Sequence, residues 1–116
     1  MKYLLLIYED ERIAAQMTQE QQGALFQAYN EYTAAIRAAG VLLGGEALTP
    51  SSTATTVRVR TGKTTTTDGP FAETKEQLGG LYFIDVPDLD SALKWAARLP
   101  SAATGSIEVR PVLNYG

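Results

Sequence analysis

Apolar residues alternate along several short segments of the chain, and each alternation predicts a β-strand. The first segment, residues 2–8, has apolar side chains on both of its sides: Tyr3, Leu5 and Ile7 on one, and Leu4, Leu6 and Tyr8 on the other. Such a strand is typically buried on both faces. Further strands are predicted at 41–48, 54–60, 64–67, 80–86 and 107–113. Pro111 places the last of them at a sheet edge.

Two segments show the three- and four-residue spacing of an amphipathic helix. Thr18 and Gln21 have capping-box spacing at the start of the first helix, and Gly40 supplies its stop. Its predicted apolar face consists of Leu25, Ala28, Tyr29, Tyr32, Ile36 and Ala39. Asp88 caps the second helix, whose predicted face is Leu89, Ala92, Leu93, Ala96 and Leu99. The acidic residues 9–11 are predicted to form a loop.

The elements follow the order β-α-β-β-α-β, with an extra hairpin segment around Thr61-Gly62-Lys63. This order predicts an α+β, ferredoxin-like fold in a single domain, 1–116, with both helices on one face of an antiparallel sheet. Two helices cover only one face, whereas the central strands are apolar on both. We therefore predict a homodimer in which two sheets pack face to face.

The chain contains no histidine and no cysteine. This composition excludes Ser-His-Asp and Cys-His catalysis as well as disulfides, and it disfavours an ordinary zinc site. We predict no metal and no cofactor, with a carboxylate-only site for magnesium or calcium left open. The formal charge is −3, and the basic residues are scattered. A nucleic-acid partner is therefore not expected.

The N-terminal apolar stretch is short and leads directly into Glu9-Asp10-Glu11 without a small-residue cleavage site. These features favour a strand over a signal peptide. No apolar run approaches the roughly 20 residues that cross a bilayer. We expect a cytoplasmic protein with no membrane partner.

The densest cluster of turn formers and charged groups is DGPFAETKE at residues 68–76, followed by Gly79-Gly80. Together with KYLLLIY at 2–8 and AGVLLGG at 39–45, it resembles the signature of the DGPF proteins in the YCII-related superfamily. The resemblance covers essentially the whole chain and implies a dimeric ferredoxin-like α-β barrel, mostly bacterial. Some DGPF proteins are encoded beside extracytoplasmic-function sigma factors, which implies a regulatory setting and an association with such a factor.

Asp68 is the candidate catalytic residue. In the wider superfamily a His-Asp pair in the dimer cleft is proposed as catalytic, and Asp68 resembles the Asp of that pair, but this chain has no histidine to complete it. From the residues alone, Asp68 has two interpretations. It either caps the Asp-Gly-Pro turn through backbone amides, or acts as a general base with a raised pKa in a cleft.

Seven further residues are candidates for ligand binding: Gly44, Gly45, Gly69, Pro70, Phe71, Lys75 and Arg110. The Gly44-Gly45 pair marks either a β-bulge or a close backbone approach by a ligand. Gly69 and Pro70 shape the turn. Phe71 is predicted to anchor its loop in the core rather than to serve as a stacking platform for a ligand.

The two basic candidates, Lys75 and Arg110, each have an ionic and a structural interpretation. Lys75 either holds an anionic ligand or pairs with a neighbouring glutamate, and Arg110 either neutralises an acidic group in the cleft or stabilises the dimer. Taken together, the residues predict that a small polar or aromatic molecule binds beside Asp68 in the dimer cleft. Two functions stay open: a cofactor-free enzyme in which Asp68 moves a proton, and a non-catalytic ligand-binding or regulatory protein linked to a sigma factor.

Overall fold

The computed structural model describes residues 1–114 as a mixed α+β protein. The strands are β1 Lys2–Glu9, β2 Leu42–Ala47, β3 Thr55–Arg60, β4 Lys63–Asp68, β5 Gln77–Asp85 and β6 Ser106–Pro111. The α-helices are α1 Glu11–Ala15, α2 Gln19–Ala38 and α3 Leu89–Ala97, with short 3₁₀ segments at Ser51–Thr53 and Pro100–Ala103. Four strands form an antiparallel sheet in the order β2-β5-β1-β6, and β3 and β4 form a separate ribbon. This arrangement is compatible with the predicted ferredoxin-like fold.

The hydrophobic core lies between the helices and one face of the four-stranded sheet. Tyr3 and Leu5 of β1 and Ile84 of β5 are almost completely buried there, and Ile36 of α2 and Ala92 of α3 pack against them. The side chains of β1 alternate between the two faces, as the pattern of the sequence predicts.

The opposite face of the sheet is also apolar, and none of the helices in residues 1–114 covers it. Leu4 lies opposite Phe83, and Leu6 lies opposite Leu81, on the two central strands. All four side chains are only half-buried. This face is named the open sheet face below.

The predicted helix caps are confirmed. Thr18 Oγ1 accepts from the backbone N–H of Gln21 at 3.1 Å, and the Gln21 side chain accepts from the Thr18 N–H at 2.9 Å. Gly40 follows α2 with φ +75°, a conformation that favours glycine. Asp88 accepts from the Ser91 N–H at 2.9 Å at the start of α3. No helix within residues 1–114 has the length and apolar character needed to span a membrane.

The prediction of a loop at residues 9–11 was wrong on both sides of Asp10, because β1 extends to Glu9 and α1 begins at Glu11. The Asp10 carboxylate caps this helix by accepting from the Arg12 backbone N–H at 2.9 Å and also pairs with the Arg12 guanidinium. This local ion pair lowers the pKa of Asp10. One turn of helix thus forms where the charge run alone indicated none.

The predicted apolar faces of the helices were too wide. Leu89 and Leu93 of α3 are 47% and 45% exposed, and Ala39 lies exposed at the end of α2. The small residues Ala92 and Ala96 face the core instead and let α3 approach the sheet closely.

The ends of the predicted strands also needed adjustment. β5 begins at Gln77 rather than at residue 80, so the strand includes Gly79. The last strand ends at Pro111, and Leu113 lies beyond it as exposed coil. β6 is an edge strand, as Pro111 indicated.

The extra hairpin is a two-stranded ribbon, β3–β4, turned by Thr61 and Gly62. Their φ angles of 52° and 75° are those of a type I′ turn, which suits the right-handed twist of a hairpin. Val57 and Val59 are 59% and 58% exposed, and every residue of β4 is exposed. The ribbon therefore contributes nothing to the core.

Glu11 joins three segments that are distant in sequence. Its carboxylate accepts from the backbone N–H of Ser51 at 2.8 Å and from the Ser51 hydroxyl at 2.5 Å. Its own backbone N–H donates to the Gln77 side chain at 2.9 Å. The start of α1, the 3₁₀ segment before the ribbon and the start of β5 are thereby fixed to one another.

We predict that Glu11→Ala destabilises the protein by about 1–3 kcal/mol, because it leaves the two Ser51 donors without their charged acceptor. Urea unfolding of the two proteins measures the difference. Glu73→Ala is the matched control, since Glu73 is exposed. Equal losses in the two variants would contradict the role assigned to Glu11.

Candidate functional site

A cleft of about 540 Å³ opens between α2 and the β2 side of the sheet. This volume lies within the range of about 300–1,000 Å³ that small-molecule sites occupy. The walls come from α2, β2, β5, the end of β1 and the 3₁₀ segment Pro100–Ala103. The space is named the α2 cleft below.

One stripe of α2 supplies the polar wall of the cleft. Tyr29, Thr33 and Arg37 are spaced four residues apart, so their side chains lie along one line of the helix. The Thr33 hydroxyl lies 2.7 Å from the hydroxyl of Tyr82 on β5. Arg37 is exposed and forms no ion pair within residues 1–114. The stripe therefore carries hydroxyls along the cleft and an unpaired cation at one end.

Four glycines form much of the opposite wall: Gly44 and Gly45 of β2, and Gly79 and Gly80 of β5. A Cβ at Gly45 would lie 3.0 Å from the Leu81 carbonyl oxygen, so the strands leave no room for a larger residue there. The β2–β5 register shifts between Leu42 and Gly44. The predicted bulge is thus present beside the same glycines that border the cleft.

Tyr29 contributes a phenol that keeps its proton. Its hydroxyl lies 2.5 Å from Ser101 Oγ. Burial raises the pKa of Tyr29, the hydrogen bond with Ser101 opposes that change, and the negative charge of Glu9 adds to it. At neutral pH the phenol is therefore uncharged and able to donate a hydrogen bond into the cleft.

Tyr82 is held in place from behind by other aromatic residues. The Tyr32 ring meets the Tyr82 ring edge-on, with centroids 5.3 Å apart, and meets Trp95 in the same way at 6.1 Å. Tyr32 donates a hydrogen bond to the Trp95 carbonyl at 2.9 Å, and burial raises its pKa. The wall of the cleft is thereby fixed by contacts inside the core.

The Asp-Gly-Pro-Phe segment borders a second cavity, of about 580 Å³. Pro70 and Phe71 line it together with apolar residues that include Leu48, Pro50 and Leu78. Phe71 is 78% exposed, so the prediction that it anchors the loop in the core was wrong. The loop is held by backbone and threonine hydrogen bonds instead, which leaves the ring free at the surface.

Asp68 ends β4 on the exposed ribbon and lines neither of these two cavities. Its carboxylate forms no hydrogen bond or ion pair within residues 1–114. The turn after it is held by Gly69, whose N–H donates to the Ala54 carbonyl at 2.7 Å and whose carbonyl accepts from the Thr56 hydroxyl at 2.8 Å. Gly69 has φ +98°, which favours glycine.

The two basic candidates lie apart from the α2 cleft. Arg110 on β6 donates to the Glu108 carboxylate at 2.8 Å. Lys75 is exposed and forms no ion pair with Glu73 or Glu76. The structure therefore brings Gly44 and Gly45 into the α2 cleft and Pro70 and Phe71 to the second cavity, while Asp68, Lys75 and Arg110 line neither.

Several cleft residues were not singled out from the sequence: Thr33, Arg37, Tyr82 and Ser101. Tyr29 was assigned only to the core. The four-residue spacing of Tyr29, Thr33 and Arg37 is the signal that could have indicated a polar stripe beside the apolar one. Within residues 1–114 no group of three or more acidic residues is placed to hold a metal ion.

The YCII-related domain family matches residues 1–115. The chain belongs to the YCII-related family. An uncharacterized protein of Rhizobium meliloti (strain 1021), R00369, is similar to it, with 40% identity over 117 residues. The alignment covers 99% of this chain and 94% of the relative. The match extends through α2, β2 and β5, the three elements that form most of the cleft of this YCII-family protein.

We predict that Gly80→Ala destabilises the protein by about 1–3 kcal/mol through overpacking. The new Cβ would lie 3.0 Å from the Glu46 carbonyl oxygen and would push β2 away from β5. Gly23→Ala is the control, because Gly23 lies within α2 with open space around it. That change should stabilise by roughly 0.5–1 kcal/mol, as alanine favours a helix. Urea unfolding measures both, and unchanged stability in Gly80→Ala would contradict the close approach.

The raised pKa values of Tyr29 and Tyr32 predict a loss of stability in alkali. In the unfolded chain the two phenols lose their protons at the ordinary tyrosine pKa of about 10. In the folded chain they keep their protons to higher pH. The stabilisation that these raised pKa values contribute is therefore complete below about pH 10. It is lost as the pH rises through the pKa values of the folded state. A Tyr29→Phe/Tyr32→Phe double variant should show a shallower decline in unfolding free energy, and an unchanged slope would contradict this assignment.

Proposed function

We propose that this YCII-family protein binds a small molecule with an apolar or aromatic body and an anionic, acceptor-rich group in the α2 cleft. The observation that carries the proposal is the stripe of Tyr29, Thr33 and Arg37 facing the glycine-lined strands. It combines room for a flat ligand with polar groups along one side, which is the usual composition of a ligand site.

The hydrogen-bonding groups of the cleft favour a ligand that accepts hydrogen bonds. The hydroxyls of Tyr29 and Ser101 carry one proton each, and the hydrogen bond between them uses one. The other proton is available to a ligand. Thr33 and Tyr82 leave one proton in the same way. The planar guanidinium of Arg37 can bind a carboxylate with two parallel hydrogen bonds. These donors suit a carboxylate or a similar anion.

This proposal places the ligand in the α2 cleft rather than beside Asp68. Glu9 and Glu46 are the carboxylates that line this cleft. Glu9 accepts from the Thr104 hydroxyl at 3.3 Å and lies close enough to affect the pKa of Tyr29. In an enzyme using this cleft, proton transfer would fall to Glu9 or Glu46, whereas binding alone requires only the donors.

We also propose that the protein forms a homodimer in which the open sheet faces of two copies pack together. Leu4, Leu6, Leu81 and Phe83 form an apolar centre on this face. On the neighbouring edge strand, Glu108 and Arg110 lie opposite Leu6 and Leu4 and make an ion pair beside that centre. An apolar centre with a charged rim is typical of an interface between subunits.

We predict that benzoate and 4-hydroxybenzoate shift the amide NMR signals of Thr33, Gly45 and Tyr82, whereas neutral benzamide shifts them much less. Arg37→Gln should weaken binding of the two anions by about tenfold or more, through loss of a charge-assisted hydrogen bond. Lys94→Gln removes one positive charge at an exposed position of α3. It is the matched control and should leave binding unchanged.

Equal weakening by Arg37→Gln and Lys94→Gln would show a general effect of charge and would contradict a site at Arg37. If neither anion shifts the cleft signals at millimolar concentration, the ligand class is wrong. The regulatory alternative, which the DGPF resemblance implies, would then be tested by co-purification of a sigma factor.

A further inference from the structure

The ribbon β3–β4 has two chemically different faces. Val57 and Val59 share one face with Thr64 and Thr66, which lie opposite them on β4. The other face carries Arg58 and Arg60, with Lys63 opposite Arg60 and three threonines, Thr56, Thr65 and Thr67, beside them. One face therefore presents valine side chains and threonine methyl groups, with Asp68 at its base opposite Thr55, and the other presents cations. An exposed apolar face on a ribbon often marks a surface that packs against another apolar surface.

Nothing within the described residues 1–114 covers the valine face. Val57 and Val59 are 59% and 58% exposed. Within residues 1–114, the side-chain hydrogen bonds of the ribbon join it only to itself and to Gly69 at its base. An isolated two-stranded hairpin is at best marginally stable in water, so the ribbon needs a surface to pack on.

The overall dimensions agree with a ribbon that extends away from the body. The radius of gyration is 16.2 Å, whereas a compact chain of this length has a value of about 13 Å. The molecule measures 47 × 47 × 18 Å. A flattened shape with an outlying ribbon would let one copy reach around another.

The distribution of charge favours another copy of the chain as the partner. The ribbon, residues 55–68, holds Arg58, Arg60 and Lys63 against Asp68 and has a net charge of 3 − 1 = +2. The whole chain has −3, so the remainder has −3 − 2 = −5. A positive ribbon is attracted to a surface with the charge of its own body, and a second copy supplies that surface.

We propose that the ribbon is an arm that packs its valine face on a second copy of this chain and holds the dimer together. The long side chains of Arg58 and Arg60 then remain at the rim, where they reach acidic groups of the second copy. This inference rests on the proposed homodimer, but it adds an interaction that the pairing of two open sheet faces does not require.

The test compares two double variants that add the same charge to opposite faces of the arm. Val57→Asp/Val59→Asp places two carboxylates on the valine face, and Thr65→Asp/Thr67→Asp places them on the basic face. Sedimentation velocity over a range of protein concentrations gives the dissociation constant of the dimer. We expect the valine pair to raise it by about tenfold or more relative to the threonine pair, because charges are costly in a packed apolar contact.

Hydrogen exchange of residues 55–68 is the second readout. In the wild-type protein these amides should be protected at concentrations where the dimer forms and should lose protection on dilution to monomer. The valine pair should lose protection at every concentration. A fall in protection confined to the arm shows that the body of the variant remains folded.

The outcomes distinguish a failure of the proposed arm from a failure of the proposed homodimer. A wild-type dimer whose dissociation constant is affected equally by both double variants would overturn the arm, while the pairing of open sheet faces would stand. A wild-type monomer at all concentrations would overturn both. Protection of the arm that does not depend on concentration would show that it packs on its own chain, or on a different partner such as nucleic acid, and would also overturn the proposal.

Discussion

Two helices can cover only one face of a four-stranded sheet, and the rest of this structure depends on that limit. Both long helices pack against the face that carries Tyr3 and Leu5, and together they form the core. The central strands β1 and β5 are equally apolar on the other face, where no helix lies. Burial of apolar surface is the main favourable term in folding, and this uncovered apolar face is the basis for the homodimer that we propose.

The orientation of α2 on the covered face also forms the α2 cleft. The buried residues Tyr32 and Ile36 turn one stripe of α2 towards the centre of the sheet. The adjacent stripe of Tyr29, Thr33 and Arg37 then lies over the β2 side, where glycines replace side chains. Bulky residues in place of these glycines would have filled the space between α2 and the strands. The α2 cleft and the core are therefore two consequences of one helix orientation.

Local chemistry made much of the fold predictable from the sequence. The Thr18 capping box, the Asp88 cap and the Gly40 stop all depend on residues within one turn of each other, and all three were predicted correctly. The alternation in β1 was equally readable. The order of elements then led to the ferredoxin-like arrangement, with which the structure is compatible.

Features that depend on distant residues were not predictable in this way. Helix α1 is fixed through Glu11 to Ser51, which is 40 positions away. Phe71 was expected in the core, yet the loop that carries it is held by the Gly69 turn and leaves the ring exposed. The cleft itself depends on the register that sets Gly45 opposite Tyr82 across β2 and β5. Propensity and periodicity carry no information about such pairings.

The chemistry of the α2 cleft favours binding over proton transfer. The chain has no histidine, and burial makes Tyr29 a weaker acid than an ordinary tyrosine. A general base for work near neutral pH would therefore be a carboxylate with a pKa raised towards neutrality. The two hydroxyl pairs and Arg37 need no such adjustment, because each presents a hydrogen-bond donor throughout the physiological pH range. Recognition of an acceptor-rich anion, as proposed for this cleft, uses these donors as they stand.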